Sequence, residues 1–270
     1  MPDDTRFTAM RDHYDRGREL GRLDESSGQL EFERTKEIIL RYLPPPPGVV
    51  ADIGGGPGRY ALWLARLGYQ VLHRDLMPLH VEQLQQAANG DRRIEAAVAD
   101  ARKLDLGSES ADAVLLLGPL YHLDRRMDRM QALAEAKRVV RQGGPIFVAA
   151  ISRWATRMDG ILRLRLYETI PGAEAQLTPI ERTGRLPPLR SGSFCGYTHR
   201  PGQLRAELAA SGMEVVDLVS VEGPAYLLDD LAERLADDEA RRVVMETACA
   251  LERVPELLGI GPHLLATARK

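Results

Sequence analysis

The sequence predicts an α/β protein built on a doubly wound parallel sheet, and three observations carry that expectation. Short β-rich runs alternate with helical text from residue 49 to residue 152, the pattern of a parallel sheet covered on both faces. Four prolines at 44–47 close the helical text before them, because proline has no N–H to donate and restricts the residue before it. A bare stretch of backbone, Gly54-Gly55-Gly56-Pro57-Gly58, then occupies the first strand-to-helix turn, where an open α/β sheet meets its ligand.

The elements follow in order. Residues 6–43 carry Phe7, Met10, Tyr14, Leu30, Phe32, Ile38 and Ile39 at helical spacing, interrupted by polar text at 24–29, so two helices joined by a turn are expected. Strands are expected at 49–53, 70–75, 94–100, 111–118 and 145–152, with helices at 59–68, 79–90 and 126–144 between them. After Ser152 the rhythm breaks. Residues 153–170 read as helix, and 171–196 are rich in turn formers and lack a periodic apolar face, which marks a long, functional or mobile loop. A helix at 201–212 stopping at Gly212, a strand at 213–221, helical text at 225–257 and a final strand at 263–269 complete the chain. The expected organisation is an N-terminal helical lid (1–45), a ligand-binding core (46–152), a lid insertion (153–200) and a C-terminal part of the core (201–270) with a helical insertion at 225–257.

Composition narrows the partners. With 36 basic and 39 acidic side chains, the net charge of −3 argues against a polyanion, although Arg153 to Arg165 form a local basic run. Cys195 and Cys249 have neither the spacing of a metal site nor the density of a disulfide scaffold, which points to a reducing compartment. No apolar run approaches the ~20 residues of a membrane span, and the N-terminus lacks the apolar segment of a signal peptide. A cytoplasmic protein is expected, without nucleic acid or membrane as partner.

Two cofactor readings compete for the glycine turn. A dinucleotide site places a third glycine beneath the pyrophosphate, and here that position holds Arg59. What stands instead is Asp52-x-Gly54-x-Gly56-x-Gly58, an acid at a strand end followed by alternate glycines. Downstream come Asp75-Leu76 at the end of the second strand, Asp100-Ala101 after the third, and Leu117-Gly118 leaving the fourth. In this form and order the chain resembles the class I S-adenosylmethionine-dependent methyltransferases. Segments such as GPLYHL and AAISRWA look like bacterial small-molecule, natural-product-type members of that family, some of which act on indoles.

The resemblance implies a Rossmann-like sheet, mostly parallel with its last strand antiparallel, and S-adenosylmethionine as cofactor, leaving as S-adenosylhomocysteine. It implies roles for Asp52 and the glycines Gly54, Gly56 and Gly58 at the amino-acid part and ribose. Asp75 and Leu76 would meet the ribose diol, Asp100 and Ala101 the adenine, Tyr14 the cofactor carboxylate, and Leu117 and Gly118 the methyl-bearing end. Gly118-Pro119-Leu120-Tyr121 offers no side-chain acid or amide to orient an exocyclic nitrogen, which disfavours nucleobase methylation, and no acidic cluster at the strand ends suggests Mg²⁺.

Metal-free catalysis then rests on alignment and one proton-handling side chain. The candidates are His122, Tyr121, His199, Glu222 and Arg153. Each also has a plain structural reading: helix-start charge for Arg153, strand terminator for Glu222, helix leader for His199. On an extended segment Tyr121 and His122 would point to opposite sides, leaving one for packing. His13, His73, His80 and His263 fall in periodic segments and are expected to be structural or solvated. The acceptor is expected to be a small organic molecule methylated on N, C or O, with a nicotinamide-dependent oxidoreductase or a non-catalytic cofactor-binding module as alternatives; a homodimer is left open.

Overall fold

The computed structural model describes residue 14 and residues 19–24, 26–188 and 195–270. Helices α1 (Glu19–Arg22) and α2 (Ser26–Leu40) precede the proline run. The sheet then builds from β1 (Val49–Ile53), β2 (Gln70–Asp75), β3 (Ile94–Val98), β4 (Ala113–Leu116) and β5 (Pro145–Ser152), all parallel in the order β3-β2-β1-β4-β5. Helices α3 (Arg59–Arg66), α4 (Pro78–Ala88), α5 (Pro119–His122) and α6 (Arg126–Val139) connect these strands.

Strand order reverses between β1 and β4, the topological switch at which a doubly wound sheet opens its ligand crevice. Both faces are buried, and alternate residues divide between them as the two-residue period requires. Ile53, Leu116, Ile146 and Val148 meet Leu133 and Val139 of α6 on one face. Val50, Leu115 and Phe147 meet Leu64 of α3, Leu84 of α4, and Ile38 and Ile39 of α2 on the other.

After β5 the structure departs from the sequence reading. Residues 153–170 do not form one helix: a short turn α7 (Ala155–Arg157) passes into a π-helical segment (Met158–Arg163) and a 3-10 turn (Leu166–Glu168). The stretch read as structureless contains α8 (Ala173–Thr183), which buries Ala173, Leu177 and Ile180 at i, i+4 and i+7 and tolerates Pro179 inside it. Two further strands were not anticipated. β6 (Arg185–Leu186) pairs antiparallel with β7 (Gly196–His199), and β7 runs parallel to the end of β5, with Thr198 opposite Ile151 and His199 opposite Ser152.

The chain returns through α9 (Pro201–Ala210), β8 (Glu214–Ser220), a 3-10 turn (Gly223–Leu227), α10 (Leu231–Ala236), α11 (Asp238–Leu251) and β9 (His263–Arg269). β9 is antiparallel to both β5 and β8, so the last strand runs against β1 to β5 as the resemblance implied. The boundary drawn at residue 45 separates no second core. Ile38 and Ile39 share the cluster of Val50 and Val219, and the fully buried Arg34 forms an ion pair with buried Glu252 and donates to the Val221 carbonyl at 3.3 Å.

Candidate active site

A cavity of about 600 Å³ opens at the carboxyl ends of β1 to β4. Its outer wall is the glycine turn. Gly54 has φ +67°, and a Cβ built there would lie 2.6 Å from the Pro119 ring, so only glycine lets this turn meet the exit of β4. The approach is mutual, since a Cβ on Gly118 would lie 2.7 Å from the Gly54 carbonyl oxygen.

Asp75, at the end of β2, organises this wall. Its Oδ2 accepts from the Gly56 N–H at 2.8 Å, and its Oδ1 accepts from the Met77 N–H at 2.8 Å and faces His80 Nδ1 at 3.1 Å. Burial alone would raise the Asp75 carboxyl; the bonds from His80 and the two backbone groups overcome this and hold it below the usual range. Asp100 also lines the cavity, bound through both oxygens by Arg102, with Leu76, Ala101, Leu117 and Gly118 beside it. Asp52 is fully buried and does not line the cavity. Its Oδ2 meets His73 Nδ1 at 3.2 Å, while Oδ1, beneath Gly55, has no hydrogen-bond partner. Gly58 likewise lies off the cavity, packed against Leu84 as the N-cap of α3.

At the exit of β4 the segment is a helical turn, α5, and both Tyr121 and His122 line the cavity. The alternation expected of an extended chain therefore does not apply. Their rings are 4.8 Å apart, and the Tyr14 hydroxyl is 2.8 Å from His122 Nε2. Burial pushes both tyrosine hydroxyls well up, which keeps them neutral at physiological pH.

The structure does not bring Arg153, His199 or Glu222 to the cavity surface. Arg153 is buried and donates to the carbonyls of Thr198 and Glu181 and to Gln203 Oε1 at 2.7 Å, tying β7 to α8 and α9. His199 is fully buried with Nε2 3.3 Å from Glu207, whose carboxylate also takes two bonds from Arg129. These residues sit at strand ends, as expected, but β7 covers Arg153 through the Thr198 carbonyl, while His199, the last residue of β7, is turned to Glu207 of α9.

Glu222 is buried behind His263, its Oε1 2.5 Å from His263 Nδ1 and its Oε2 3.2 Å from the His263 N–H. His263 and Glu31 do line the cavity, as does His80; these three were missed. Among the described residues, Glu31, Glu222 and His263 offer ligand atoms within 4.8 Å of one another, an acidic group at the strand ends that the sequence did not reveal. Periodicity alone masked His263. Because β9 is antiparallel, its first residue, opposite Ile151, lies at the edge where the parallel strands end. His13 lies outside the described residues.

Residues 51–148 match the family model described as a methyltransferase domain, Methyltransf_11. The chain is 34% identical over 122 residues to a ubiquinone/menaquinone biosynthesis C-methyltransferase of Acidiphilium cryptum, covering 44% of this chain and 48% of that protein. It is 30% identical over 124 residues to the methyltransferase GfsG of Streptomyces halstedii, covering 44% of each. The chain thus spans about half the length of these curated relatives. A methyltransferase structure from Methanosarcina mazei superposes with a TM-score of 0.58 at 19% identity, over 86% of this chain and 96% of that one. A 1,6-didemethyltoxoflavin-N1-methyltransferase of Burkholderia thailandensis, solved with its substrate and S-adenosylhomocysteine, gives 0.55 at 18% identity, over 95% and 83%. These structures establish the fold, and the family match sets the nicotinamide alternative aside. Residues 51–148 thus match a methyltransferase domain, and the sheet and glycine turn that contain them have the fold of the class I S-adenosylmethionine-dependent methyltransferases.

Proposed function

We propose that the protein transfers a methyl group from S-adenosylmethionine to N, C or O of a small organic acceptor, without a metal ion. The observation that carries this reading is the continuity of one cavity. It runs from the glycine turn, Asp75 and Asp100, past Tyr121 and His122, to a deep end walled by Tyr60, Ala149, Val221 and Leu265. The first part fits the cofactor: a turn with no side chains and an ionised carboxylate at the ribose position. When bound, S-adenosylmethionine supplies an electrophilic methyl group.

The chain's own residues then align and deprotonate. Gly118 and Tyr121 border the space where the acceptor atom would stand. His122 is the proposed proton acceptor, with the Tyr14 hydroxyl holding its Nε2 until the acceptor arrives. The deep walls include the apolar and aromatic side chains of Tyr60, Ala149, Val221 and Leu265, which suit a ring-bearing acceptor.

The test has two arms. Calorimetry is expected to show S-adenosylhomocysteine binding and no NAD(H) binding. Incubation with S-adenosylmethionine and a panel of indoles, phenols and amines is expected to release S-adenosylhomocysteine. Tight cofactor binding with no transfer to any acceptor would favour the non-catalytic module.

A further inference from the structure

The deep end of the cavity holds a chain of alternating charges that the methyl-transfer reading does not use. Glu222, 1% exposed, meets His263 Nδ1; Glu31 Oε2 stands 3.8 Å from the same nitrogen. Glu31 in turn accepts two bonds from Arg22, at 2.5 and 3.1 Å, and Arg22 Nε donates to Glu19 at 2.8 Å. Glu222 precedes the 3-10 turn after β8, Glu31 is on α2, and Glu19 and Arg22 are on α1, so three separate regions converge on one imidazole at the start of β9.

We propose that His263 is the acceptor-orienting residue of this site, donating its Nε2–H to a carbonyl oxygen of an uncharged acceptor. The proposal rests on the methyltransferase reading and narrows its substrate class. Three features support it. The ring lines the cavity while its Nδ1 edge is bound to Glu222, and no described residue hydrogen-bonds Nε2. Tyr60, Ala149, Val221 and Leu265 supply apolar wall beside it, so a ring-bearing ligand can pack there while the Nε2–H fixes its orientation. Finally, three carboxylates stand against one guanidinium and one imidazolium, a balance that disfavours a second full anion but leaves a charged donor for an oxygen lone pair.

The protonation state agrees. Burial alone would depress the imidazole, but Glu31 and Glu222 raise it to about 9, and Arg22 opposes them only weakly. At pH 7 His263 is therefore a donor and not a base. Glu31 is itself committed to Arg22 by two hydrogen bonds. Glu222 acts as a positioning residue, fixing the ring and its proton.

The experiment uses the full chain saturated with S-adenosylhomocysteine and two matched probes, 1-indanone and indane, which differ by the carbonyl oxygen. In ¹⁵N-histidine spectra at pH 7, 1-indanone is expected to shift the His263 Nε2–H signal saturably and to bind about tenfold or more tighter than indane. That preference is expected to vanish in His263→Leu, to persist in part in His263→Gln, and in Glu222→Gln to be lost at lower pH than in the wild type. Equal binding of the two probes to the wild type, an unmoved Nε2–H signal, or a preference that survives in His263→Leu overturns the proposal. So does Zn²⁺ uptake that strips the His263 proton. The wild-type spectra decide even where a variant fails to fold. Failure of S-adenosylhomocysteine to bind would instead overturn the methyltransferase reading, which keeps the two failures distinct.

Discussion

Gly58→Ala and Gly56→Ala, two residues apart in the same turn, are expected to fail in opposite ways. Gly58 caps α3 at φ +84°, ψ +26°, a left-handed conformation in which a Cβ costs about 1–2 kcal/mol. That Cβ would also overlap the side chain of Leu84, which is fully buried and cannot swing away, and overpacking of this kind adds about 1–3 kcal/mol. The sum, roughly 2–5 kcal/mol, lowers Tm by roughly 4–20 °C at about 2–4 °C per kcal/mol for a chain of this size. Because Gly58 is off the cavity, affinity for S-adenosylhomocysteine should stay within about twofold of the wild type in the folded variant.

Gly56 has φ +58°, and the nearest atom to a Cβ there is Glu19 Cγ at 3.8 Å. Strain alone applies, about 1–2 kcal/mol, but the methyl group enters the cavity wall, and affinity should fall about tenfold or more. Thermal unfolding without ligand, paired with calorimetric titration of S-adenosylhomocysteine, checks both. The reasoning is refuted if Gly58→Ala weakens ligand binding while leaving Tm near that of the wild type, or if Gly56→Ala proves the less stable of the two.

Three further outcomes follow from the geometry. Asp75→Asn removes a charged acceptor for the Gly56 and Met77 N–H groups and, under the proposed function, for the ribose, so cofactor affinity should fall about 10–100-fold by calorimetry; an unchanged Kd would reduce Asp75 to a loop-fixing role. His122→Ala should lower kcat about 10²-fold with S-adenosylmethionine binding nearly intact, and a pH–rate profile identical to that of the wild type would remove His122 as the base. Glu207 would be raised by burial, yet bonds from Arg129 and His199 hold it at about 2, below its ordinary 4.5. A depressed carboxyl stabilises the fold above its unfolded value, so stability should be lost as pH falls from about 4.5 through 2. Denaturant midpoints across that range should show the slope in the wild type and a shallower one in Glu207→Gln.

Where local chemistry dominates, the sequence was read to the residue. β1, β2, β5 and β9 fall at 49–53, 70–75, 145–152 and 263–269 as expected, because dense β-branched and apolar runs bounded by glycine, proline or charge leave few other placements. That Gly54, Asp75, Asp100 and Gly118 share one cavity was legible for the same reason: they lie at turns that the sheet order brings together. α8 was hidden because Pro179 and the turn formers around it outweighed three apolar positions, and its helix persists through the burial of Leu177 and Ile180.

Tertiary structure alone decided which strand-end polar groups face the cavity. Arg153 was covered when β7 joined β5, His199 at the end of β7 was turned to Glu207, and Glu222 was placed behind His263. His263 itself reached the ligand edge because the last strand runs backwards, which puts its first residue where every parallel strand puts its last. Strand direction and the identity of a side chain's distant neighbours are properties of pairing across the whole sheet, and no local period encodes them.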